Sequence, residues 1–415
     1  MNDDRIAELL APAGDEDALT AALRYGADAV YLGGKSFGMR ARAANFGPDA
    51  LVGAVKTAHS HGAKIYLTCN TLPRGRDLDE LPTFIDFAAA AGIDALIVAD
   101  LGVLALSKRL QPGLACHIST QFGVVNHLAA AELYNLGAER VILARELTLG
   151  EIAEIRAKTP PQLSLEAFVH GAVCLSVSGR CVISNYLTGR DANNGECAQP
   201  CRWKYALMES ERPGQYFPAY EEDSYSYLLN ANDLCMIGHL DKLAAAGVDT
   251  FKIEGRAKSA YYVAVVTGAY RKAIDHLAQN GGKAPLPDWL LEEVEKISHR
   301  PYSTGFYLPD SLPDQDRVRG GYNRFWQLVA TVDGYAGGYI HCTERNRFSK
   351  GEELEALAPD GPPITLVVDE MLNEDGERIE TARHPMMKVK IRSAQVLPAG
   401  AMLRRREPGQ DSAQK

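Results

Sequence analysis

Short apolar runs alternate with amphipathic stretches over residues 7–256. Each run is apolar at consecutive positions, as is typical of a strand that is buried on both faces. The stretches between the runs, such as EDALTAALRYG, have helical periodicity, and several end at a glycine. Eight runs fit this description, at residues 7–14, 27–34, 63–70, 94–100, 115–121, 140–146, 163–171 and 249–256. The pattern predicts an α/β fold, a (β/α)8 TIM-like barrel, with an open doubly wound sheet as the alternative.

One interval between predicted strands is much longer than the others. It separates the seventh strand from the eighth and spans residues 172–248. Loops that follow strand ends form the catalytic face of such barrels, so we expect this insertion at the catalytic mouth. Residues 1–283 are therefore predicted to form a TIM-like barrel with an insertion between strands 7 and 8. Residues 284–324, which contain PDWLLEEVEKISH, are predicted to be a helical linker segment.

The pattern changes near residue 325. Short β-type runs such as WQLVATVDGY and MKVKIRS alternate there with Gly, Pro and Asp-Gly turns. Residues 325–407 are predicted to form a small C-terminal β-barrel domain. The polar residues 408–415 are predicted to be a disordered tail.

Net charge and hydropathy exclude some classes of protein. The formal net charge of −9 disfavours a protein that coats nucleic acid non-specifically, although it allows a local basic groove. The acidic start MNDDRIAELL lacks the apolar run of a signal peptide, and no uninterrupted apolar stretch approaches 18 residues. We expect a cytoplasmic protein without a membrane span, in which thiols stay reduced.

Four of the eight cysteines lie in the stretch HGAVCLSVSGRCVISNYLTGRDANNGECAQPCRW. They are Cys174, Cys181, Cys197 and Cys201, spaced as C-x6-C followed by C-x3-C. Four thiolates can hold a structural zinc ion or an iron–sulfur cluster, and the spacing does not separate the two. The remaining possibility is four free cysteines. Cys235 is a further candidate ligand, although its place at an apparent helix start favours a packing role.

Charged and polar residues follow the ends of several predicted strands. In a barrel they would face the mouth, where arginine can bind carboxylate or phosphate and a polar side chain can orient a substrate. The candidate substrate-binding residues are Arg40, Arg42, Arg145, Arg256 and Gln121, and the candidate catalytic residues are His170, Glu254 and Asn70. Ion pairs between Arg145 and Glu146 and between Glu254 and Arg256 are the structural alternative. His170 could equally be a packing histidine.

RNA contact is suggested by fewer residues. Arg202 and Lys204 flank Trp203 directly after the last cysteine of the quoted stretch, a combination that can bind phosphate and stack a base. Proteolysis is disfavoured, because the chain contains no H-E-x-x-H.

Several long stretches resemble the peptidase U32 family of collagenase-like proteases. They include ELLAPAGDEDALTAALRYGADAVYLGG, EAFVHGAVCLSVSGRCVISNYLTGRD, GECAQPCRW and FKIEGRAKSAYYVAVVTGAYRKAID, and the resemblance covers almost the whole chain. Within that family, a barrel with one small β domain is most similar to the branch that hydroxylates tRNA.

The resemblance implies a function and a cofactor. It implies O2-independent hydroxylation of the wobble uridine in the tRNA anticodon loop to 5-hydroxyuridine, with prephenate as the hydroxyl source. It also implies a [4Fe-4S] cluster on the four clustered cysteines in place of zinc. A U32-type peptidase and a hydroxylase of an rRNA base or a quinone precursor remain the alternatives.

Overall fold

The computed structural model describes most of the chain. The described residues are 6–39, 44–174, 183–190, 192, 195–200, 203, 232–282, 285–308 and 323–407, with four short strands between 207 and 227. Six predicted site residues lie outside this part, namely Arg40, Arg42, Cys181, Cys201, Arg202 and Lys204, as does the predicted tail 408–415.

The first three-quarters of the chain alternate strands with helices. The strands are β1 (Glu8–Pro12), β2 (Ala29–Gly33), β3 (Lys64–Cys69), β4 (Ala95–Val98), β5 (Ala115–Ile118), β6 (Arg140–Ile142), β7 (Ser164–Ala172), β8 (Leu207–Met208), β9 (Tyr216–Phe217), β10 (Tyr220–Glu222), β11 (Tyr225–Tyr227), β12 (Asp233–Cys235), β13 (Thr250–Ile253) and β14 (Tyr302–Ser303). The helices are α1 (Glu16–Arg24), α2 (Pro48–Ser60), α3 (Asp77–Ala90), α4 (Leu101–Leu110), α5 (His127–Asn135), α6 (Leu149–Lys158), α7 (Ile183–Thr188), α8 (Leu240–Ala245), α9 (Ala260–Gln279) and α10 (Asp288–Val294).

Eight of these strands close into a parallel barrel. β1 to β7 pair in chain order, and β13 pairs in parallel with both β7 and β1. Thr250 therefore has a partner on each side, Glu166 on β7 and Glu8 on β1. The predicted TIM-like barrel is confirmed and the open sheet is excluded, because an open sheet has no pairing between its first and last strands.

Local sequence signals set the starts of the outer helices. Asp15 caps α1 by accepting a hydrogen bond from the Ala18 amide, and Asp100 caps α4 through the Val103 amide. The sequence T-x-x-E places a full capping box at the start of α6, where Thr148 and Glu151 bond each other's backbone. These caps satisfy amides that have no partner within a helix, so each helix starts close to its strand.

The barrel interior is charged as well as apolar. Arg140 donates to Glu8 at 2.7 Å and to Glu166 at 3.2 Å, and Lys252 donates to Glu166 at 2.7 Å. The four side chains balance two negative against two positive charges, which a buried network requires. Burial alone would raise the pKa of Glu8, but the Arg140 guanidinium holds that pKa below its usual value.

Two further strands extend the barrel sheet beyond the eight predicted ones. β12, inside the long insertion, pairs antiparallel with the end of β7, and β14 pairs in parallel with β12. β14 lies in residues 284–324, the predicted helical linker. The described part of that segment contains one helix, α10. Three residues of the segment, Leu290, Ile297 and Tyr307, are buried in the barrel core. It therefore packs as part of the barrel rather than spanning a gap.

The C-terminal part forms a separate antiparallel half-barrel with its own core. Its strands are β15 (Trp326–Ala336), β16 (Tyr339–Glu344), β17 (Phe348–Ser349), β18 (Glu353–Leu357), β19 (Ile364–Val367), β20 (Met371–Leu372), β21 (Thr381–Ala382), β22 (Lys388–Arg392) and β23 (Met402–Arg406). Seven of them form one sheet in the order β19-β18-β23-β15-β16-β22-β20. The small β domain predicted from residue 325 onward is thus present.

A buried ion cluster joins the half-barrel to the barrel. Arg404, fully buried, donates to both carboxylate oxygens of Glu293 on α10 at 2.7 and 2.6 Å and to Glu355 on β18 at 2.7 Å. Lys296 also bonds Glu355, at 2.9 Å. The Tyr25 hydroxyl donates to the Leu357 carbonyl at 3.0 Å. These contacts fix one domain on the other. Among the described residues, no helix is long and apolar enough to cross a membrane.

Candidate active site at the barrel mouth

The carboxyl ends of β6 and β13 bring two predicted site residues together. Arg145 follows β6, Glu254 follows β13, and their side chains lie 3.6 Å apart. This contact joins residues that lie far apart in the chain, whereas the predicted structural alternative paired chain neighbours, Arg145 with Glu146 and Glu254 with Arg256. The two side chains are about one-sixth exposed, so the pair lies at the open end of the barrel rather than inside it.

Arg145 has two further contacts through its guanidinium. Nη1 donates to the Ala172 carbonyl at 2.7 Å, and the guanidinium carbon lies 3.7 Å from the centroid of the Phe168 ring. Ala172 is the last residue of β7 and is two residues before Cys174. Arg145 therefore holds the strand end from which the cysteine-rich insertion begins.

Arg256 also reaches the mouth, but it is almost completely buried. It is 4% exposed and donates through Nη1 to the Thr68 hydroxyl at 3.1 Å. A Cβ on Gly33 would lie 2.1 Å from that same nitrogen, and a Cβ on Gly38 would lie 3.7 Å from it. Glycine at position 33 therefore leaves the space that the guanidinium occupies between β2 and β3.

Asn70 supports the loop that follows β2. Its side-chain oxygen accepts a hydrogen bond from the Met39 amide at 3.3 Å, and its own amide donates to the Phe37 carbonyl at 2.9 Å. Phe37 has a left-handed backbone with φ of 60°, so the loop turns sharply at this point. The described contacts of Asn70 position the loop that leads to residues 40–43.

The cysteine-rich insertion touches the same loop. Gly195 has φ of +84°, and a Cβ there would lie 3.0 Å from the Met39 backbone carbon and 3.1 Å from the Gly38 carbonyl oxygen. This close approach of two backbones places the segment that carries Cys197 over the loop between β2 and α2. The Cys197 sulfur accepts a hydrogen bond from the Gln199 amide at 3.3 Å.

The described cysteines fall into two groups. Cys174 is exposed and Cys197 is partly exposed, and both are free thiols on loops. Cys69, Cys116 and Cys342 are buried, and burial raises the pKa of these thiols to about 12, 11 and 12. The thiols that a metal could reach are thus the ones in the insertion, since a buried thiol with a raised pKa resists forming the thiolate ligand.

Cys235 differs from its predicted environment. It is the last residue of β12 rather than the start of a helix, it lies opposite His170 on β7, and it is partly exposed. Burial of its sulfur raises the pKa to about 11, and the Tyr270 hydroxyl is 3.9 Å away. These contacts fit a packing role, and Cys235 also remains the alternative to Cys201 as a ligand.

His170 points away from the barrel mouth. It is 1% exposed, and its ring lies 5.3–6.0 Å from the ring centroids of Tyr262, Tyr270 and Tyr302. Burial lowers the pKa of His170 to about 3, so the imidazole is neutral at physiological pH. The environment is that of a packing histidine, and its catalytic role remains an untested prediction.

Gln121 lies beyond the end of β5, in a short 3-10 helix over Thr120–Phe122 whose start is capped by Ser119. It is partly exposed at the same end of the barrel as Arg145 and Glu254. Thr68, whose hydroxyl accepts from Arg256, was not predicted as a site residue from the sequence. Alternation along β3 offered the signal, because Tyr66 and Thr68 share the inward face.

Two family models divide the chain between them. Residues 14–316 match the model for peptidase family U32, and residues 324–404 match that for the peptidase family U32 C-terminal domain. The chain belongs to peptidase family U32. The division between the two matches falls near residue 320, close to the start of the half-barrel at β15.

Curated relatives match the U32 chain over most of its length. The tRNA hydroxylation protein P1 of Bacillus subtilis is 34% identical over 403 residues, covering 96% of this chain and 94% of that protein. The tRNA hydroxylation protein P of Escherichia coli is 34% identical and covers 90% of this chain and 91% of that protein. A Methanocaldococcus jannaschii protein named "Uncharacterized protease MJ0090" is 45% identical, covering 77% of this chain and 78% of that one.

Proposed function

We propose that this U32 protein is an RNA-modifying enzyme that hydroxylates the wobble uridine of tRNA to 5-hydroxyuridine. The observation that carries the proposal is the match, over 96% of this chain and 94% of the relative, to a protein named for tRNA hydroxylation. Correspondence over both domains means that the barrel, the insertion and the half-barrel have counterparts in one relative.

The barrel mouth supports the part of the proposal that concerns a small anionic co-substrate. Arg145 and Arg256 both lie at the mouth, where Arg145 is 3.6 Å from the carboxylate of Glu254 and Arg256 donates to the Thr68 hydroxyl. Guanidinium groups bind carboxylates in a bidentate manner, and prephenate carries two carboxylates. We therefore propose prephenate as the hydroxyl source, with hydroxylation that needs no O2.

The cysteines support an iron–sulfur cofactor. Cys174 and Cys197 are accessible free thiols, and an amide already donates a hydrogen bond to the Cys197 sulfur, a type of contact that tunes cluster-bound sulfurs. Cys174, Cys181, Cys197 and Cys201 would hold a [4Fe-4S] cluster, with zinc as the alternative metal. When bound, such a cluster would supply electron transfer or an open iron site for substrate.

Proteolysis is the second candidate, because the relative at 45% identity is named a protease. A cysteine protease needs a histidine base near its thiol. His170, the histidine four residues before Cys174, is enclosed by tyrosines and has a pKa lowered to about 3, so it would be a poor base at neutral pH. This histidine therefore gives proteolysis no support.

Nucleoside mass spectrometry of tRNA tests the proposal. Deletion of the gene should abolish 5-hydroxyuridine and its derivatives in cells grown without O2, and the wild-type gene should restore them. Purified protein with its cluster should form the nucleoside on tRNA only when prephenate is added. Unchanged tRNA in the deletion strain would reject the hydroxylase, and cleavage of collagen peptides by the pure protein would favour the peptidase.

A further inference from the structure

The short helix α7 presents an apolar face to solvent between the two pairs of clustered cysteines. Tyr186 is 88% exposed, Leu187 44% and Ile183 38%. Positions i, i+3 and i+4 lie on one side of a helix, so the three side chains form one continuous surface. We call Ile183, Tyr186 and Leu187 the α7 face. An aromatic ring this exposed on a folded helix leaves apolar surface in contact with water, which indicates a binding partner.

The α7 face is fixed in position relative to the candidate metal ligands. The buried Ser184 hydroxyl donates to the Arg190 carbonyl at 2.8 Å and accepts from the Ala198 amide at 3.0 Å. Ala198 directly follows Cys197, so one side chain ties α7 to the cysteine-bearing segment. Thr188 closes the end of the helix by donating to the Ser184 carbonyl at 2.6 Å. Tyr186 therefore lies on a helix that is hydrogen-bonded to the segment carrying Cys197.

The stretch of chain that ends just after α7 is basic. Residues 167–190 contain Arg180 and Arg190 but no Asp or Glu, in a chain whose net charge is −9, and the acidic residues Asp191 and Glu196 follow this stretch. Arg190 is partly exposed at the end of α7, and its hydrogen bonds to Ser184 and Thr188 use only its backbone. Its guanidinium can thus contact phosphate without unfolding the helix end.

We propose that the α7 face is a stacking platform for a nucleobase of single-stranded RNA that enters the barrel mouth, with Arg190 as a phosphate contact. The inference rests on the proposed RNA-modifying function and deepens it by naming the surface that receives the loop. A base taken out of its loop for chemistry leaves its neighbours unstacked, and an aromatic ring beside the site replaces the lost stacking. Tyrosine stacks on any base, so the platform adds affinity with little sequence preference.

Binding of an unmodified tRNA anticodon stem-loop, measured by fluorescence anisotropy, tests the platform. Tyr186→Ala should weaken binding roughly ten-fold, and Tyr186→Trp should retain it, because stacking of one base depends on the ring. The logarithmic dependence of affinity on salt should stay unchanged in Tyr186→Ala. It should become shallower by about one unit in Arg190→Gln, because only the arginine displaces a counterion from the RNA.

Three controls separate stacking from unfolding and from a general loss of exposed apolar surface. Leu128→Ala, on the exposed surface of α5, removes a side chain of similar exposure far along the sequence and should leave the RNA affinity unchanged. A fully paired RNA duplex should bind Tyr186→Ala and wild type equally, since its bases are already stacked. The iron content of Tyr186→Ala should equal that of wild type, because the ring contributes no ligand.

The outcomes distinguish this inference from the proposed function. Wild type that forms 5-hydroxyuridine while Tyr186→Ala binds the stem-loop normally would overturn the platform alone. A change in oligomeric mass without a change in RNA affinity would show instead that the α7 face binds a protein, and would also overturn it. Wild type that neither binds nor hydroxylates the stem-loop would overturn both proposals.

Discussion

Replacing Arg145 with lysine should loosen the end of β7 from which the cysteine-rich insertion starts. Lysine keeps a positive charge near Glu254 but loses the planar fork that bonds the Ala172 carbonyl and lies on the Phe168 ring. A hydrogen bond from a charged donor contributes about 1.5–3 kcal/mol, and a partly exposed cation–π contact about 0.5–1 kcal/mol. The ion pair with Glu254 adds little at 3.6 Å with partial exposure.

Because lysine recovers part of this energy, we expect a net local loss of about 2 kcal/mol. At about 1.4 kcal/mol per factor of ten, amide hydrogen exchange near the end of β7 should accelerate on the order of 30-fold. Exchange mass spectrometry of peptides that span residues 168–174 measures this directly. Exchange in the half-barrel should stay unchanged, and Arg109→Lys on the exposed side of α4 is the matched control.

The same variant separates the two roles of Arg145. If the side chain mainly holds the strand, faster exchange should accompany lower iron retention. If exchange at residues 168–174 equals that of wild type while the KM for prephenate rises ten-fold or more, Arg145 binds the substrate and the positioning argument is wrong.

Three further predictions follow from buried or accessible groups. Cys174→Ser should lose most of the iron of anaerobically purified protein while Cys342→Ser keeps it, measured by iron analysis and visible absorption. Arg404→Met should lower the free energy of unfolding in urea by about 3–5 kcal/mol, because it removes the bidentate partner of the buried Glu293 and leaves it the Lys296 ammonium at 3.6 Å. Adding Glu293→Gln should recover part of that loss. Burial lowers the pKa of His170 to about 3, so the imidazole takes up a proton at a higher pH in the unfolded chain than in the folded one. The free energy of unfolding should therefore fall as the pH drops below about 6.5. In His170→Gln, the dependence of this free energy on pH should be smaller by about 1.4 kcal/mol per pH unit, measured by urea unfolding between pH 4.5 and 7.

Properties that depend on short-range pattern were predictable from the sequence. Seven of the eight barrel strands lie within the predicted runs and β7 extends one residue beyond its run, because a strand buried on both faces must be apolar at consecutive positions. The short β-type runs separated by turn residues after residue 325 likewise predicted the small β domain. β18 is not evident from local sequence, because ELEAL carries two charged residues in five; its pairing with β19 and β23 holds it as a strand.

Which side chains meet was decided by the tertiary structure. Sequence proximity suggested that Arg145 pairs with Glu146, but closing the barrel brings β13 beside β7 and gives Arg145 a partner 109 residues away, Glu254. Ion pairs follow distance in space, and the order of strands in a closed sheet sets that distance.

His170 shows how a one-residue shift in strand register can reverse the direction of a side chain. Glu166 and Phe168 face the barrel interior, and strict alternation would direct His170 inward as well. A register shift between Lys252 and Ile253 pairs Ile253 with His170 and turns the imidazole out toward the tyrosines of α9 and β14. The residue types of the site were thus determined by the sequence, whereas their directions depended on strand pairings and a bulge that form only in the folded chain.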